Sequence, residues 1–99
     1  MRKLAVVLAF VASHAHADLS FKAEGIEMRL LDKACTHPKV LALLLDEWAP
    51  KFRQGYFLYH GRPLQMCWIE SRPGHIAIVD EDGDTTELPK SALKESPSS

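Results

Sequence analysis

Cys35 and Cys67 are the residues of this 99-residue chain best suited to covalent chemistry. Two cysteines in a small domain of an oxidising compartment most simply form one disulfide. This bond would close a loop of about 32 residues, which the chain-entropy model values at roughly 3–4 kcal/mol. The alternatives are a metal pair or a free catalytic thiol, but a metal normally needs further ligands at close spacing, such as a CxxC pair. We therefore predict a Cys35–Cys67 disulfide.

An acidic segment offers the next candidate chemistry, a calcium site. Asp80, Asp82, Asp84 and Glu87 could supply some of the roughly six to eight oxygen ligands that Ca²⁺ takes. Their spacing does not match an EF-hand loop, and Asp82-Gly83 is a strong signal for a hairpin of the type I′ class. A solvated turn is the main expectation, and calcium is the weaker alternative.

Three histidines, His37, His60 and His75, could bind a metal or act as general bases. Each lies beside a predicted turn, and none is paired with another at short spacing. The sequence also lacks a serine nucleophile motif, an HExxH pair and a glycine-rich phosphate loop. We expect no catalytic residue, no cofactor and no metal other than the weak calcium candidate, and we expect that the protein is not an enzyme.

Aromatic residues indicate a binding surface. Tyr56, Phe57 and Trp68 lie on two consecutive predicted strands, with Arg62 at the turn between them. Because neighbouring strand residues point to opposite faces, only one of Tyr56 and Phe57 can share a face with Trp68. Exposed aromatic rings near an arginine are enriched at protein contacts. These four residues form the candidate binding patch, and the alternative is that every ring belongs to the core.

The N-terminus is typical of a secretory signal peptide over residues 1–17. Two basic residues precede the apolar run Leu4–Ala12, and alanines at positions 15 and 17 suit cleavage near Ala17. The run is shorter than the ~20 apolar residues that span a bilayer. The mature protein is therefore expected to be periplasmic or secreted, with no stable membrane anchor.

Charge restricts the class of partner. Without the two basic residues of the signal peptide, ten Lys and Arg oppose 13 Asp and Glu, and both signs are scattered. The absence of a basic run disfavours nucleic acid and anionic membrane surfaces. We expect an envelope or extracellular protein as partner, and the sequence leaves the oligomeric state open.

The elements that must position these residues are mostly strands. Residues 19–31 alternate between apolar and polar around a turn at Glu24-Gly25, which predicts a hairpin. Thr36 and Pro38 suit the start of a helix over about 38–48. Further strands are predicted at 55–60, 64–69, 75–79 and 85–88, followed by one helical turn at 90–93.

These elements predict an α+β domain over residues 18–93. It would be a small antiparallel β-sheet or an SH3-like partial barrel, with one helix and one disulfide. Residues 94–99 contain no apolar side chain and are predicted to be a disordered tail.

One set of residues carries a resemblance: Cys35, Gly61-Arg62, Cys67-Trp68, Ile76, Ile78, Asp82-Gly83-Asp84 and Leu88-Pro89. With these residues the chain resembles a group of small secreted proteins of proteobacteria and their phages or prophages. The match covers mainly Arg53–Leu93 and departs from the pattern at Met66, at Asp80 and in the longer helix. That group has no assigned biochemical role. The last hairpin and terminal turn are also similar to those of SH3-like barrels, which implies a fold and no function.

The favoured function is a small exported binding or inhibitor-type protein that acts in the periplasm or outside the cell, for example as a phage-derived envelope modifier. One alternative is a small metal-dependent envelope hydrolase that uses His60, His75 and the acidic turn. The other is a structural subunit of an envelope or phage assembly.

Overall fold

The computed structural model describes residues 17–97. The predicted signal peptide lies outside this range except for Ala17, and so do the last two residues of the predicted tail. Within the described range, no helix combines the length and apolar character needed to cross a bilayer.

Seven antiparallel strands form one curled sheet in the order β6-β5-β4-β3-β2-β1-β7. The first six strands follow one another as a meander, and β7 returns to pair with β1. The edge strands β6 and β7 are not paired with each other, so the sheet is a half-barrel rather than a closed barrel. The strands are β1 (Ala17–Ala23), β2 (Ile26–Ala34), β3 (Arg53–Tyr59), β4 (Arg62–Arg72), β5 (His75–Asp80), β6 (Thr85–Pro89) and β7 (Lys94–Pro97).

The hairpin turns explain the register of the meander. At the β3–β4 turn, His60 and Gly61 both have positive φ, 52° and 81°, as a type I′ turn requires. The predicted type I′ turn at Asp82-Gly83 is wrong, because in this turn only Gly83 has positive φ. There the amide of Gly83 donates to the carbonyl of Asp80 at 3.0 Å, and the loop that joins β5 to β6 is longer than two residues.

The main core lies on the concave face of the sheet. Side chains from alternate positions of neighbouring strands meet there, as the period of two requires. The buried members are Leu19, Met28, Leu30, Met66, Trp68, Ile76 and Ile78.

A second, smaller core lies on the convex face, where the segment between β2 and β3 packs. Its buried members are Cys35, Val40, Phe52 and Cys67. The predicted disulfide between Cys35 and Cys67 is confirmed, with a Cα–Cα distance of 5.7 Å. It joins the start of the β2–β3 connection to the middle of β4.

The predicted helix over 38–48 is wrong in length. Helix α1 covers only Pro38–Leu41, and a 3₁₀ turn follows at Ala49–Lys51. The amide of Cys35 donates to the carbonyl of Phe52, so the segment must return to its starting point. A single turn is enough to bury Val40 fully, and the side chains of Leu43 and Leu45 that follow it are exposed. The domain is therefore mostly β rather than α+β.

The C-terminal segment also differs from the prediction of disorder. Lys94–Pro97 forms β7, with Glu95 opposite Leu19 of β1. Strand pairing uses main-chain groups, so a polar segment can join a sheet edge without contributing to the core. The helical turn predicted before it is confirmed as a 3₁₀ turn at Lys90–Ala92, which links β6 to β7.

Candidate functional site

An apolar cleft opens on the concave face of the half-barrel, with a volume of about 390 Å³. Its floor is formed by the buried side chains of Met28, Met66 and Ile78. The volume falls within the range of ligand pockets, ~300–1,000 Å³. Methionine side chains are flexible and polarisable, so two of them in the floor allow the cleft to adapt to the shape of an occupant.

Strand register aligns part of the cleft lining in a row across the sheet. Met28 of β2, Phe57 of β3 and Leu64 of β4 are direct cross-strand neighbours. In the next row Gly55 stands between Leu30 and Met66. A Cβ at Gly55 would lie 3.1 Å from Cδ2 of Leu30 and 3.3 Å from Cε of Met66, so the missing side chain makes room for both.

The two sides of the cleft come from opposite ends of the chain. Phe21 of β1 and Ile26 of β2 line one side, and Thr86 and Leu88 of β6 line the other. Phe21 is 38% exposed and forms part of the rim. The open side of the half-barrel therefore gives solvent direct access to an apolar surface.

Asp80 is the one charged side chain among the described residues that line the cleft. It is the last residue of β5 and lies opposite Met66 of β4. Its Oδ1 accepts the backbone N–H groups of Asp82 and Asp84, each at 3.0 Å. The turn thus fixes the carboxylate at the wall of the cleft.

The other end of the concave face is polar and contains Trp68. This ring is 7% exposed, and its Nε1 donates to the carbonyls of Leu31 and Gln54, each at 3.1 Å. The guanidinium of Arg53 lies 5.8 Å from the ring centroid and pairs with Asp32. Trp68 is therefore a core residue with a satisfied polar atom.

Glu70 lies at this polar end, on β4. It accepts the backbone N–H of Gly74 at 3.0 Å and faces the ammonium of Lys90 at 3.5 Å. The hydrogen bond from Gly74 and, more weakly, the charge of Lys90 lower the pKa of this carboxyl from its ordinary value.

The four residues of the predicted binding patch do not come together as one surface. Phe57 shares the concave face with Trp68, and Phe57 lines the cleft while Trp68 is buried. Tyr56 points to the convex face and is 43% exposed. Arg62 is exposed at the start of β4, opposite Tyr59.

Tyr56 belongs to a polar cluster that anchors the start of α1 on the sheet. Its hydroxyl accepts a hydrogen bond from Nε2 of the buried Gln54 at 2.8 Å. Oε1 of Gln54 accepts the amide N–H of Thr36 at 3.0 Å and also its hydroxyl. Nε2 of the buried His37 lies 3.1 Å from the carbonyl oxygen of Gly55. These contacts give His37 and Tyr56 a structural role.

The residues proposed for metal chemistry are spread over the sheet. His60 lies in the β3–β4 turn, and His75 begins β5 at the far end of β4. Glu87 accepts the hydroxyl of Ser71 at 3.0 Å, on the face opposite to Asp80. Over residues 17–97, the structure contains no group of three or more His, Cys, Asp or Glu side chains arranged to hold a metal ion.

Two surfaces were not predicted from the sequence. Leu43, Leu45 and Trp48 are 53%, 66% and 46% exposed on the convex side, because the helix that would have aligned them ends early. The cleft was missed for a different reason. Its alternating apolar residues were recognised, but the curl that makes the face concave is a property of the whole sheet.

Comparisons with protein-family models, with curated proteins and with solved structures found no match to this chain.

Proposed function

We propose that this protein is a small exported binding protein that takes an apolar small molecule into the cleft of its concave face. The observation that carries the proposal is the open apolar cleft with Met28, Met66 and Ile78 in its floor. Burying apolar surface from water is the main source of affinity for such ligands. An open apolar concavity of this kind marks a site whose occupant supplies the missing side of the core.

Export is supported by the covalent structure and by the N-terminal sequence. Disulfides persist in oxidising compartments and are rare in the reducing cytosol. The Cys35–Cys67 bond lies in the convex core and its sulfur atoms are buried, so it acts as a permanent crosslink rather than an exposed redox pair. The signal-peptide pattern in residues 1–17 points to the same compartment.

The test is a titration of the purified, disulfide-intact protein with a neutral fluorescent probe, N-phenyl-1-naphthylamine. The expected result is saturable binding with one probe per chain. Phe21→Ser at the cleft rim should weaken binding of the probe, because it removes the aromatic ring that lines one side of the cleft. Leu58→Ser is the matched control, since Leu58 is 39% exposed on the opposite face and Phe21 is 38% exposed.

A third variant distinguishes the cleft from the exposed apolar residues Leu43, Leu45 and Trp48 in the loop between β2 and β3. Leu45→Ser removes the most exposed of the large apolar side chains in the described chain, at 66% exposure. Binding that is lost in this variant and kept in Phe21→Ser would overturn the proposal and assign the apolar site to the loop. An absence of saturable binding would also overturn it. As a control, the variants and the wild type should unfold at the same temperature, which would show that each substitution has only a local effect.

A further inference from the structure

Asp80 places a charged group in a cleft whose lining is otherwise mostly apolar. The remaining described lining is apolar apart from the hydroxyl of Thr86, so one side of the site carries a carboxylate and the rest carries hydrocarbon and rings. Asp80 and Thr86 lie on adjacent strands, and Thr86 is opposite Ile78, two positions before Asp80 on β5. A ligand in the cleft therefore meets both polar groups on the same side.

The carboxylate of Asp80 retains an unused oxygen. Oδ1 is engaged by the two turn amides, and none of the ion pairs among residues 17–97 includes Asp80. The nearest residues along the chain, Glu81 and Asp82, add negative charge. The ammonium of Lys39 reaches this turn but pairs with Glu81, at 3.8 Å. Oδ2 is thus free to accept a hydrogen bond from an occupant.

A half-buried carboxylate beside apolar side chains selects the charge of its ligand. Desolvation strengthens its attraction to a cation and its repulsion of an anion relative to bulk water. A charge-assisted N–H···O bond to a carboxylate is also stronger than a neutral one. Asp80 therefore favours ligands with a positively charged donor and rejects fatty carboxylates.

We propose that the cleft binds amphipathic amines, with the hydrocarbon over Met28, Met66 and Ile78 and the ammonium donating to Oδ2 of Asp80 and the hydroxyl of Thr86. This assignment rests on the proposed function, because it names the ligand class of the same cleft. The ligand is a small molecule with one alkyl or aryl body and one protonated nitrogen.

The test measures displacement of N-phenyl-1-naphthylamine by three ligands with the same tail: octylammonium, octanol and octanoate. We expect octylammonium to bind about threefold to tenfold tighter than octanol, in the range between exposed and buried ion pairs. Octanoate should bind most weakly. Equal displacement by all three, or a preference for octanoate, would overturn this inference while the proposed function stands. If the probe itself fails to bind, both fail.

Two variants locate the preference at Asp80. Asp80→Asn removes the charge but keeps an Oδ1 that can accept the two turn amides, so the hairpin is preserved. It should retain the probe and lose the preference for octylammonium. Asp84→Asn is the control, because Asp84 is an exposed acid of the same turn outside the cleft lining. A preference that survives in Asp80→Asn, or disappears equally in Asp84→Asn, would overturn the contact. If Asp80→Asn does not fold, the ligand series on the wild-type protein still decides the charge preference.

Discussion

Breaking the disulfide should remove a large part of the stability of the domain. Cys35 and Cys67 are 32 residues apart, and the chain-entropy model gives about 3.7 kcal/mol for a loop of that length at 25 °C. A domain of this size has only ~4–12 kcal/mol in total. The same change corresponds to a fall of roughly 15–30 °C in Tm.

Three proteins separate the crosslink from the packing of its atoms. Urea unfolding is measured on the oxidised wild type, on the reduced wild type and on the Cys35→Ala/Cys67→Ala double variant. Reduction keeps both sulfur atoms in the convex core, so it isolates the loop constraint. The double variant also loses side-chain volume at Cys67, which is fully buried, and should be less stable still.

The outcome that refutes this reasoning is a reduced protein within about 1 kcal/mol of the oxidised one, since the entropy model would then not apply to this loop. A large loss confined to the double variant would refute it as well, and would show that packing rather than the crosslink stabilises the convex core.

Other perturbations test individual contacts. Gly25→Ala and Gly61→Ala both place a side chain at positive φ, and each should lower the free energy of unfolding by about 1–2 kcal/mol. The loss should be larger for Gly25→Ala, because its Cβ would lie 2.6 Å from the His60 ring. Equal losses in urea unfolding would show that the ring moves aside freely. Gln54→Leu should lose about 1–3 kcal/mol in the same assay, because it removes the three hydrogen bonds that the buried Gln54 amide makes to the N–H and hydroxyl of Thr36 and to the hydroxyl of Tyr56. An unchanged midpoint would contradict the role of this amide as an anchor. The lowered pKa of Glu70 means that its contribution to stability is present above the ordinary value of 4.5 and is lost as pH falls through the lowered pKa. Glu70→Gln should therefore weaken the fall in stability in acid, and identical pH profiles of the two proteins would refute this.

The strands were predictable because their signals are local. Apolar and polar residues alternate along β1, β2 and β4, and Gly25 and Gly74 lie at the turns. This pattern predicts both the strands and their antiparallel order. The length of α1 was not predictable, because the length of a helix of one to three turns depends on the surface against which its apolar face packs. In this fold the sheet accepts Val40 and leaves Leu45 in solvent.

Neither the cleft nor β7 could be predicted from local sequence patterns, because both depend on how the strands assemble into the sheet. A one-residue choice of face decides whether Tyr56 or Phe57 lies beside Trp68, and only the assembled register settles it. Pairing of Lys94–Pro97 with β1 depends on a free main-chain edge brought close by the curl of the sheet. No side-chain pattern within residues 94–97 predicts this strand pairing.

The C-terminal strand has a consequence for kinetics. Strand β1 pairs with β7 across almost the whole described chain, with Leu19 opposite Glu95, whereas the other strand pairs are formed by consecutive strands. Long-range contacts form late because loop closure costs entropy. We expect β7 to dock last during folding and its amides to exchange with deuterium faster than those of β4, which lies inside the sheet. Since β7 continues from the turn that carries Ala92 at the cleft wall, each detachment of this edge loosens that wall. Fluctuation of the C-terminal edge would then set how quickly a ligand enters and leaves.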